Sequence, residues 1–319
     1  MRASIVICTF NRRELLQRTL ASIGQLQQVD GAGEVVIVDN ASTDGTGPWL
    51  REHWLGAAPG PGWVRVLVEE EHLGHSYARN AGWRQARGEW VLYTDDDVTM
   101  APDWAARLIA EGEASAADAV CGPVRPVWER SPPGWLVPEL WGRLALVDHG
   151  QENCWLVEQQ AHPVGANFGI RRHVLAELSG FDVRLGRVGS RLSSGEDLDL
   201  FRRLRASGRR VRYVAGAGLH HWIPATRLER RYFRRWHWQA GLADAPWLGE
   251  RGMPCWWGIP RWRYRDAVVS AWRRAGGILS RREPATFWLE LRLWYFAGLL
   301  VGQASEPFRR LHGRRRSAP

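Results

Sequence analysis

Three consecutive aspartates, Asp95, Asp96 and Asp97, follow an apolar run at residues 90–93. Such a run is typical of a buried strand, so the carboxylates are predicted to lie at one edge of a sheet, before a helical segment. Neighbouring carboxylates repel one another when no positive charge compensates them. A divalent cation that also binds a diphosphate removes the conflict, because Mg²⁺ and Mn²⁺ prefer oxygen ligands. The alternative is an acidic loop that caps the following helix.

The first 120 residues alternate strand and helix patterns. Four apolar runs predict strands, at residues 5–7, 35–38, 64–68 and 90–93. Strands separated by helices form right-handed βαβ units and a mainly parallel sheet, in which ligands bind beyond the carboxyl ends of the strands. Three of these ends carry polar clusters, at residues 9–12, 39–45 and 95–97. We therefore predict one ligand-binding edge.

The chain has 319 residues, enough for one large α/β domain with an appendage. All 43 basic residues are arginine, and they are unevenly distributed. Residues 1–221 carry 24 Arg against 27 Asp and Glu, whereas residues 222–319 carry 19 against 7, together with ten of the 20 tryptophans. The last third of the chain is therefore predicted to present a cationic surface.

The cysteines favour a reducing compartment. The four of them are scattered without a Cys-x-x-Cys pair, which argues against a zinc site and a disulfide framework. The chain opens in a strand pattern without a cationic leader, so we expect no secretion signal. The expected location is the cytoplasm, with peripheral association at the inner face of the cell membrane.

A second acidic cluster, Glu196, Asp197 and Asp199, follows a Gly- and Ser-rich stretch at residues 185–195 that we predict to be a mobile flap. Acidic residues in the first turn of a helix complement its dipole by roughly 0.3–1 kcal/mol each. Alternatively, one carboxylate is a base that takes a proton from an attacking hydroxyl group. The local sequence leaves both interpretations open.

Two adjacent histidines, His220 and His221, follow a strand pattern at residues 211–214. A lone histidine is more often structural than a ligand. Beside an aspartate-rich cluster, however, one imidazole completes a metal site.

Taken in chain order, six motifs resemble those of the family 2 inverting glycosyltransferases of GT-A fold. They lie at residues 8–12, 38–46, 74–80, 95–97, 165–167 and 195–199, and a histidine follows them. The resemblance covers about residues 3–240. It implies an α/β fold with a Rossmann-like, mixed but mainly parallel sheet flanked by helices.

The resemblance also implies a role for each matching residue. The nucleotide-sugar contacts are Thr9, Phe10, Asn11, Arg12, Asp39, Arg79, Asp95 and Asp96. The divalent metal, Mn²⁺ or Mg²⁺, is bound by Asp95, Asp97 and His221, with His220 the less favoured neighbour. Asp197 is the catalytic base with Glu196 beside it. The acceptor side includes Gly165, Asn167 and Trp222.

We expect a catalytic domain at residues 1–225 and a helical, Arg- and Trp-rich extension at residues 226–319. The nucleotide-sugar half of the domain is about residues 1–120, and the acceptor half about residues 121–225. We read residues 127–160 as an irregular insertion beside the site. The apolar stretch at residues 291–301 falls short of the roughly 20 residues that span a bilayer.

The extension has two equal interpretations: its tryptophans pack on the catalytic domain, or its Arg and Trp side chains contact an anionic membrane surface. No nucleic acid partner is expected, because no nucleic-acid module is present.

The predicted function is transfer of a sugar from a nucleoside diphosphate sugar, with UDP as the expected nucleotide, to a hydroxyl of a lipid-linked or polysaccharide acceptor. One alternative is a nucleotidyltransferase, which would have a Gly- and Lys-rich phosphate loop after the first strand. The other is a non-catalytic protein that binds sugar nucleotides or membranes.

Overall fold

The computed structural model of the chain describes residues 1–55, 63–157, 163–189, 192, 195–248, 254–279 and 285–313. Part of the predicted flap, at residues 190–191 and 193–194, lies outside this description, as do the terminal residues 314–319. The described residues divide into two compact units. Unit 1 is built from residues 1–129, 144–190 and 194–223, and unit 2 from residues 130–143, 191–193 and 224–319.

Eleven strands are present in the described part of unit 1. In chain order they are β1 (Ala3–Thr9), β2 (Gly33–Asp39), β3 (Trp63–Glu69), β4 (Trp90–Thr94), β5 (Val98–Met100), β6 (Ala119–Cys121), β7 (Val124–Trp128), β8 (Cys154–Leu156), β9 (Asn167–Arg171), β10 (Val211–Tyr213) and β11 (Leu219–Ile223).

Eight strands form one sheet in the order β3-β2-β1-β4-β9-β6-β10-β8. The first four are mutually parallel. β9 runs antiparallel to both β4 and β6, β10 is parallel to β6, and β8 is antiparallel to β10. Every residue of β2 is buried, because both faces of the sheet are covered and such strands are apolar throughout. The predicted mixed, mainly parallel α/β sheet is confirmed.

Helices cover the sheet of unit 1. They are α1 (Arg13–Ile23), α2 (Thr46–Trp49) with a π-helical continuation at Leu50–Leu55, α3 (His75–Gln85), α4 (Trp104–Ala114), α5 (Arg172–Glu177) and α6 (Glu196–Ala206). Successive residues of β1 supply the cores on opposite faces: Ile5 and Ile7 join the cluster that includes Leu16 and Trp104, whereas Val6 joins the one that includes Phe201.

A short second sheet follows the aspartate triplet. Its order is β5-β11-β7, with β11 antiparallel to β5 and parallel to β7. The predicted helix directly after the triplet is therefore wrong: residues 98–100 form a strand, and α4 begins only at Trp104. Asp103 precedes that helix, so the triplet does not cap it.

The described part of unit 2 contains three long helices and a small hairpin. After 3₁₀ turns at Pro138–Leu144 and Ala225–Leu228 come α7 (Arg230–Leu248), β12 (Cys255–Trp256), β13 (Ile259–Pro260), α8 (Arg261–Leu279) and α9 (Ala285–Gly313). Within the described ranges, no helix is both long enough and apolar enough to cross a membrane.

Two glycines let α7 and α9 approach closely. A Cβ atom on Gly298 would lie 3.1 Å from the Cα of Gly241 and would clash with the carbonyl oxygen of Trp238. Because backbone atoms lie opposite, a larger residue cannot be accommodated by a side-chain rotation.

We therefore expect Gly298→Ala to lower the free energy of unfolding by about 1–3 kcal/mol, the usual cost of overpacking. Thermal and denaturant unfolding measure the effect. Gly276→Ala in α8 is the control, because no other described element lies within 4 Å of its Cβ position and alanine is favoured over glycine in a helix. Equal destabilisation by both variants would contradict the close-approach interpretation.

Candidate active site

The end of β1 and the aspartate triplet are joined by direct hydrogen bonds. Thr9 Oγ1 donates to Asp96 Oδ2 over 2.8 Å. The Nη1 atom of Arg12 lies 2.9 Å from Asp96 Oδ1 and 3.0 Å from Asp97 Oδ2. A guanidinium group thus compensates two of the three carboxylates. Burial raises the pKa of Asp96, although the charge of Arg12 and the hydrogen bond from Thr9 oppose this rise.

His221 lies beside Asp97 because β11 pairs with β5. In this pairing His221 is opposite Val98, the residue after Asp97, and the amide of Trp222 donates to the Asp97 carbonyl oxygen over 2.9 Å. The Nε2 atom of His221 is 3.1 Å from Asp97 Oδ1, and both side chains are buried. His220 points to the opposite face of the strand and is exposed.

The donor set of Asp97 and His221 fits a divalent cation. A carboxylate oxygen and an imidazole nitrogen, both ligand types that first-row divalent metals accept, lie side by side there. Asp95, by contrast, is 3.8 Å from Arg79. Among the described residues, no group of three His, Cys, Asp or Glu side chains is arranged to hold a metal ion. Diphosphate oxygens would therefore have to supply further ligands, as is usual for Mg²⁺.

Arg79 is the buried cation at the centre of the site. It lies on α3 and is only 2 % exposed. Its guanidinium group contacts the carboxylate of Asp197, lies 3.5 Å from Glu196 Oε1, and donates to the carbonyl oxygen of Gly165 over 3.1 Å. The rings of Tyr93, Phe168 and Phe181 surround it, with centroids 5.3–5.8 Å from Cζ.

The two neighbouring acids at the start of α6 differ in environment. Glu196 is 5 % exposed, whereas Asp197 is 21 % exposed. Burial disfavours ionisation of Glu196, but the hydrogen bond with His75 and the charge of Arg79 lower its pKa to about 2. Burial raises the pKa of Asp197 to about 6, with Arg79 opposing the rise and Glu196 adding to it. Asp197 is thus the more accessible and the more basic carboxylate.

The loops after β1 and β2 are tied together. The amide of Asn11 donates to Ser42 Oγ over 3.0 Å, and the amide of Thr43 donates to Asn11 Oδ1 over 2.7 Å. Asp39 is buried at the end of β2 and accepts from the amide of Ser42 over 3.3 Å. Phe10, directly after β1, is partly exposed.

The predicted acceptor-side residues occupy different environments. Gly165 contacts Arg79, as described. Asn167 is fully buried, and its side chain bonds to Trp104 and to the carbonyl oxygens of Pro123 and Ala217. Trp222 is partly exposed, and the Arg18 guanidinium lies 5.2 Å from its ring centroid. The contact of Asn167 with an acceptor stays a prediction.

Sequence reasoning missed His75, whose Nδ1 is 3.2 Å from Glu196 Oε1. A signal was present: His75 precedes Arg79 by four residues, which places both on one face of a helix. It also missed Asn40, which donates to the carbonyl oxygens of Glu70 and His72 and accepts from the amide of Gly74. Asn40 thus joins the ends of β2 and β3 to the start of α3.

Comparison with known proteins identifies the chain. Residues 4–179, more than half of its length, match the family described as glycosyl transferase family 2. The chain is a family 2 glycosyltransferase. Membership in this family confirms the resemblance seen in the motifs and favours sugar transfer over the nucleotidyltransferase alternative.

Two proteins are similar in sequence to most of this glycosyltransferase. The succinoglycan biosynthesis protein ExoM of Rhizobium meliloti is 26 % identical over 249 residues, covering 77 % of this chain and 75 % of the relative. A glucosyl-dolichyl phosphate glucuronosyltransferase of Haloferax volcanii is 28 % identical over 228 residues, covering 69 % of each chain.

Two solved structures share the fold of this glycosyltransferase. The mannosyltransferase PcManGT of Pyrobaculum calidifontis, in complex with GDP-Man and Mn²⁺, matches with a TM-score of 0.63 and 20 % identity, covering 96 % of this chain and 88 % of that one. TarS of S. aureus in complex with UDP matches with a TM-score of 0.53 and 16 % identity, covering 97 % and 92 %. These similarities confirm the GT-A fold.

We expect Gly165→Ala to disrupt the site without unfolding the protein. The added Cβ would clash with Arg79 Nη2 and Asp197 Oδ2, and buried Arg79 has no space to move away. Misplacement of a catalytic group by an ångström lowers the rate by on the order of a hundredfold. Release of the nucleoside diphosphate from the donor measures this rate. Gly134→Ala is the control, since its Cβ position is open; unchanged turnover in Gly165→Ala would contradict the tight packing.

Proposed function

We propose that this glycosyltransferase moves a sugar from a nucleoside diphosphate sugar, with UDP as the nucleotide, to a hydroxyl group of a lipid-linked or polysaccharide acceptor, inverting the anomeric centre. One observation carries the proposal. The buried guanidinium of Arg79 contacts Asp197 and also lies 3.8 Å from Asp95. It therefore brings the base candidate to the edge of the sheet where the aspartate triplet lies.

Asp197 is the proposed base. A single displacement requires one carboxylate that takes the proton from the acceptor hydroxyl. Its pKa of about 6 keeps it ionised near neutral pH yet makes it a stronger base than an ordinary aspartate. Glu196, which is buried and bonded to His75, is held in place and orients Arg79. A retaining double displacement would need a second accessible carboxylate as nucleophile.

Asp97 and His221 are the proposed protein ligands of a divalent cation, Mn²⁺ or Mg²⁺. When bound, the cation would neutralise the diphosphate and stabilise it as a leaving group. Arg12 and Arg79 add positive charge to the same region, which favours an anionic ligand there. Asp95 is proposed to contact the ribose, and Asp39 to contact the base.

The acceptor class is drawn from the relatives. One is named for succinoglycan biosynthesis and another for a dolichyl phosphate-linked glucose acceptor, and both kinds of acceptor present sugar hydroxyl groups. A lipid-linked acceptor would require the enzyme to work at a membrane surface.

Asp197→Asn tests the catalytic assignment. We expect transfer to fall by about 10²–10⁴-fold, the usual contribution of a general base, while Mn²⁺-dependent binding of UDP persists. Release of UDP from the donor and thermal shift by UDP are the two measurements. The matched control is Asp199→Asn, since Asp199 lies in the same helical turn but pairs with Arg203. Loss of UDP binding together with transfer would indicate a structural role for Asp197.

His221→Ala tests the metal assignment. A panel of nucleotide sugars is screened by thermal shift with and without Mn²⁺; a ligand at 100 times its Kd adds about 2.7 kcal/mol of stability. We expect His221→Ala to remove the Mn²⁺-dependent part of this stabilisation. His220→Ala, altering the exposed neighbour on the opposite face of β11, should retain it. If both variants keep the full Mn²⁺ effect, His221 is not a ligand.

A further inference from the structure

Unit 2 exposes an unusually apolar surface on its hairpin and on α8. We define the hairpin–α8 surface by six residues, Trp256, Trp257, Trp262, Val268, Val269 and Trp272. The most exposed of them are Trp272 at 76 %, Val268 at 69 % and Trp257 at 64 %. Exposed large apolar side chains are ordinary when they are scattered singly, but a set that shares one helix face and an adjacent turn marks an interaction site.

The spacing of these residues places them together. On α8, Arg261, Arg265, Val268 and Trp272 follow one another at intervals of three or four residues, which is the repeat of one helix face. Trp262, Val269 and Arg273 extend the same face. The hairpin joins α8 directly, since β13 ends at Pro260, and the Arg261 guanidinium lies 5.3 Å from the ring centroid of Trp256.

The surface is cationic. Arg261, Arg265 and Arg273 are exposed. Within the described part of the chain, none of these three forms a salt bridge. The acid of this helix, Asp266, is already bonded to Arg292 of α9. Among the described residues, this exposed face of tryptophan, valine and arginine therefore has no acidic side chain paired with its arginines.

The opposite face of α8 is already used for packing. Ala267 and Ser270 are buried, Tyr264 lies 5.1 Å from the ring of Phe296, and Arg274 lies 2.7 Å from Glu290. The exposed side chains are thus not needed to hold α8 against α9.

We propose that the hairpin–α8 surface binds an anionic lipid bilayer, with its tryptophans in the headgroup region and its arginines on the lipid phosphates. Tryptophan is enriched at membrane interfaces, and a helix with an arginine-rich polar component lies in the plane of such an interface. Membrane binding would bring the enzyme to a lipid-linked acceptor, and only this purpose rests on the proposed function.

A lipid bilayer matches this surface better than a nucleic acid does. Nucleic acid would use the arginines and stack on the tryptophans, but it offers nothing to Val268 and Val269. The alternative membrane contact, the apolar stretch at residues 291–301, is partly interior: Leu291 and Leu299 are buried within unit 2.

Flotation of the full chain with vesicles tests the proposal. We expect binding to phosphatidylcholine vesicles that contain phosphatidylglycerol, and much weaker binding to phosphatidylcholine alone. Each arginine near an anionic membrane contributes about fivefold in affinity, so the triple variant R261Q/R265Q/R273Q should bind on the order of a hundredfold more weakly. The variant W257A/W272A removes the two most exposed rings and should weaken binding at least about tenfold.

The control is R84Q/R172Q/R202Q, which removes the same charge from exposed positions of unit 1 and should bind vesicles almost as well as the parent chain. Thermal unfolding and donor-induced thermal shift verify that each variant is folded. Failure of the parent chain to float with anionic vesicles would overturn the proposal, as would unchanged flotation of both surface variants. The proposal would also be overturned if the two surface variants lost binding to an oligonucleotide but kept their binding to anionic vesicles. Because donor binding is measured separately from flotation, a failure of the proposed sugar transfer can be distinguished from a failure of vesicle binding.

Discussion

The pairing of one buried arginine with carboxylates from distant parts of the chain organises the candidate active site. Burying an unpaired charge costs several kcal/mol, so a guanidinium inside the protein requires acidic partners. Arg79 finds them in Asp197 and Glu196, more than a hundred residues away, and in Asp95 at the end of β4. The rings of Tyr93 on β4, Phe168 on β9 and Phe181 after α5 surround it. The ends of α3, α6 and β4 are thereby fixed at one place.

A second guanidinium balances the aspartate triplet. The sequence favours a divalent cation as the charge that compensates the three carboxylates, but in the structure Arg12 already compensates Asp96 and Asp97. The neighbouring contact of Asp97 with His221 brings together the two side chains that we propose as metal ligands.

The sequence allowed the parallel half of the sheet to be predicted because buried strands are apolar throughout and their ends are polar. It also indicated Asp197 and His221, through motifs in a recognisable order. It could not indicate β5, since three residues carry no periodicity, and pairing with β11 outcompeted the helical pattern expected there. The contact between His75 and Glu196 was equally hidden: it depends on tertiary packing across 121 positions. The roles of Asp39 and Asn167 toward ligands stay predictions.

Because the chain has no lysine, arginine supplies the positive charge of the candidate active site, and this determines how the site responds to alkali. The charge of Asp96 raises the pKa of Arg12, and the charges of Asp197 and Glu196 raise that of Arg79 despite its burial. Neither cation loses its proton at any pH at which proteins remain folded. The positive framework around the site is therefore permanent in the folded protein.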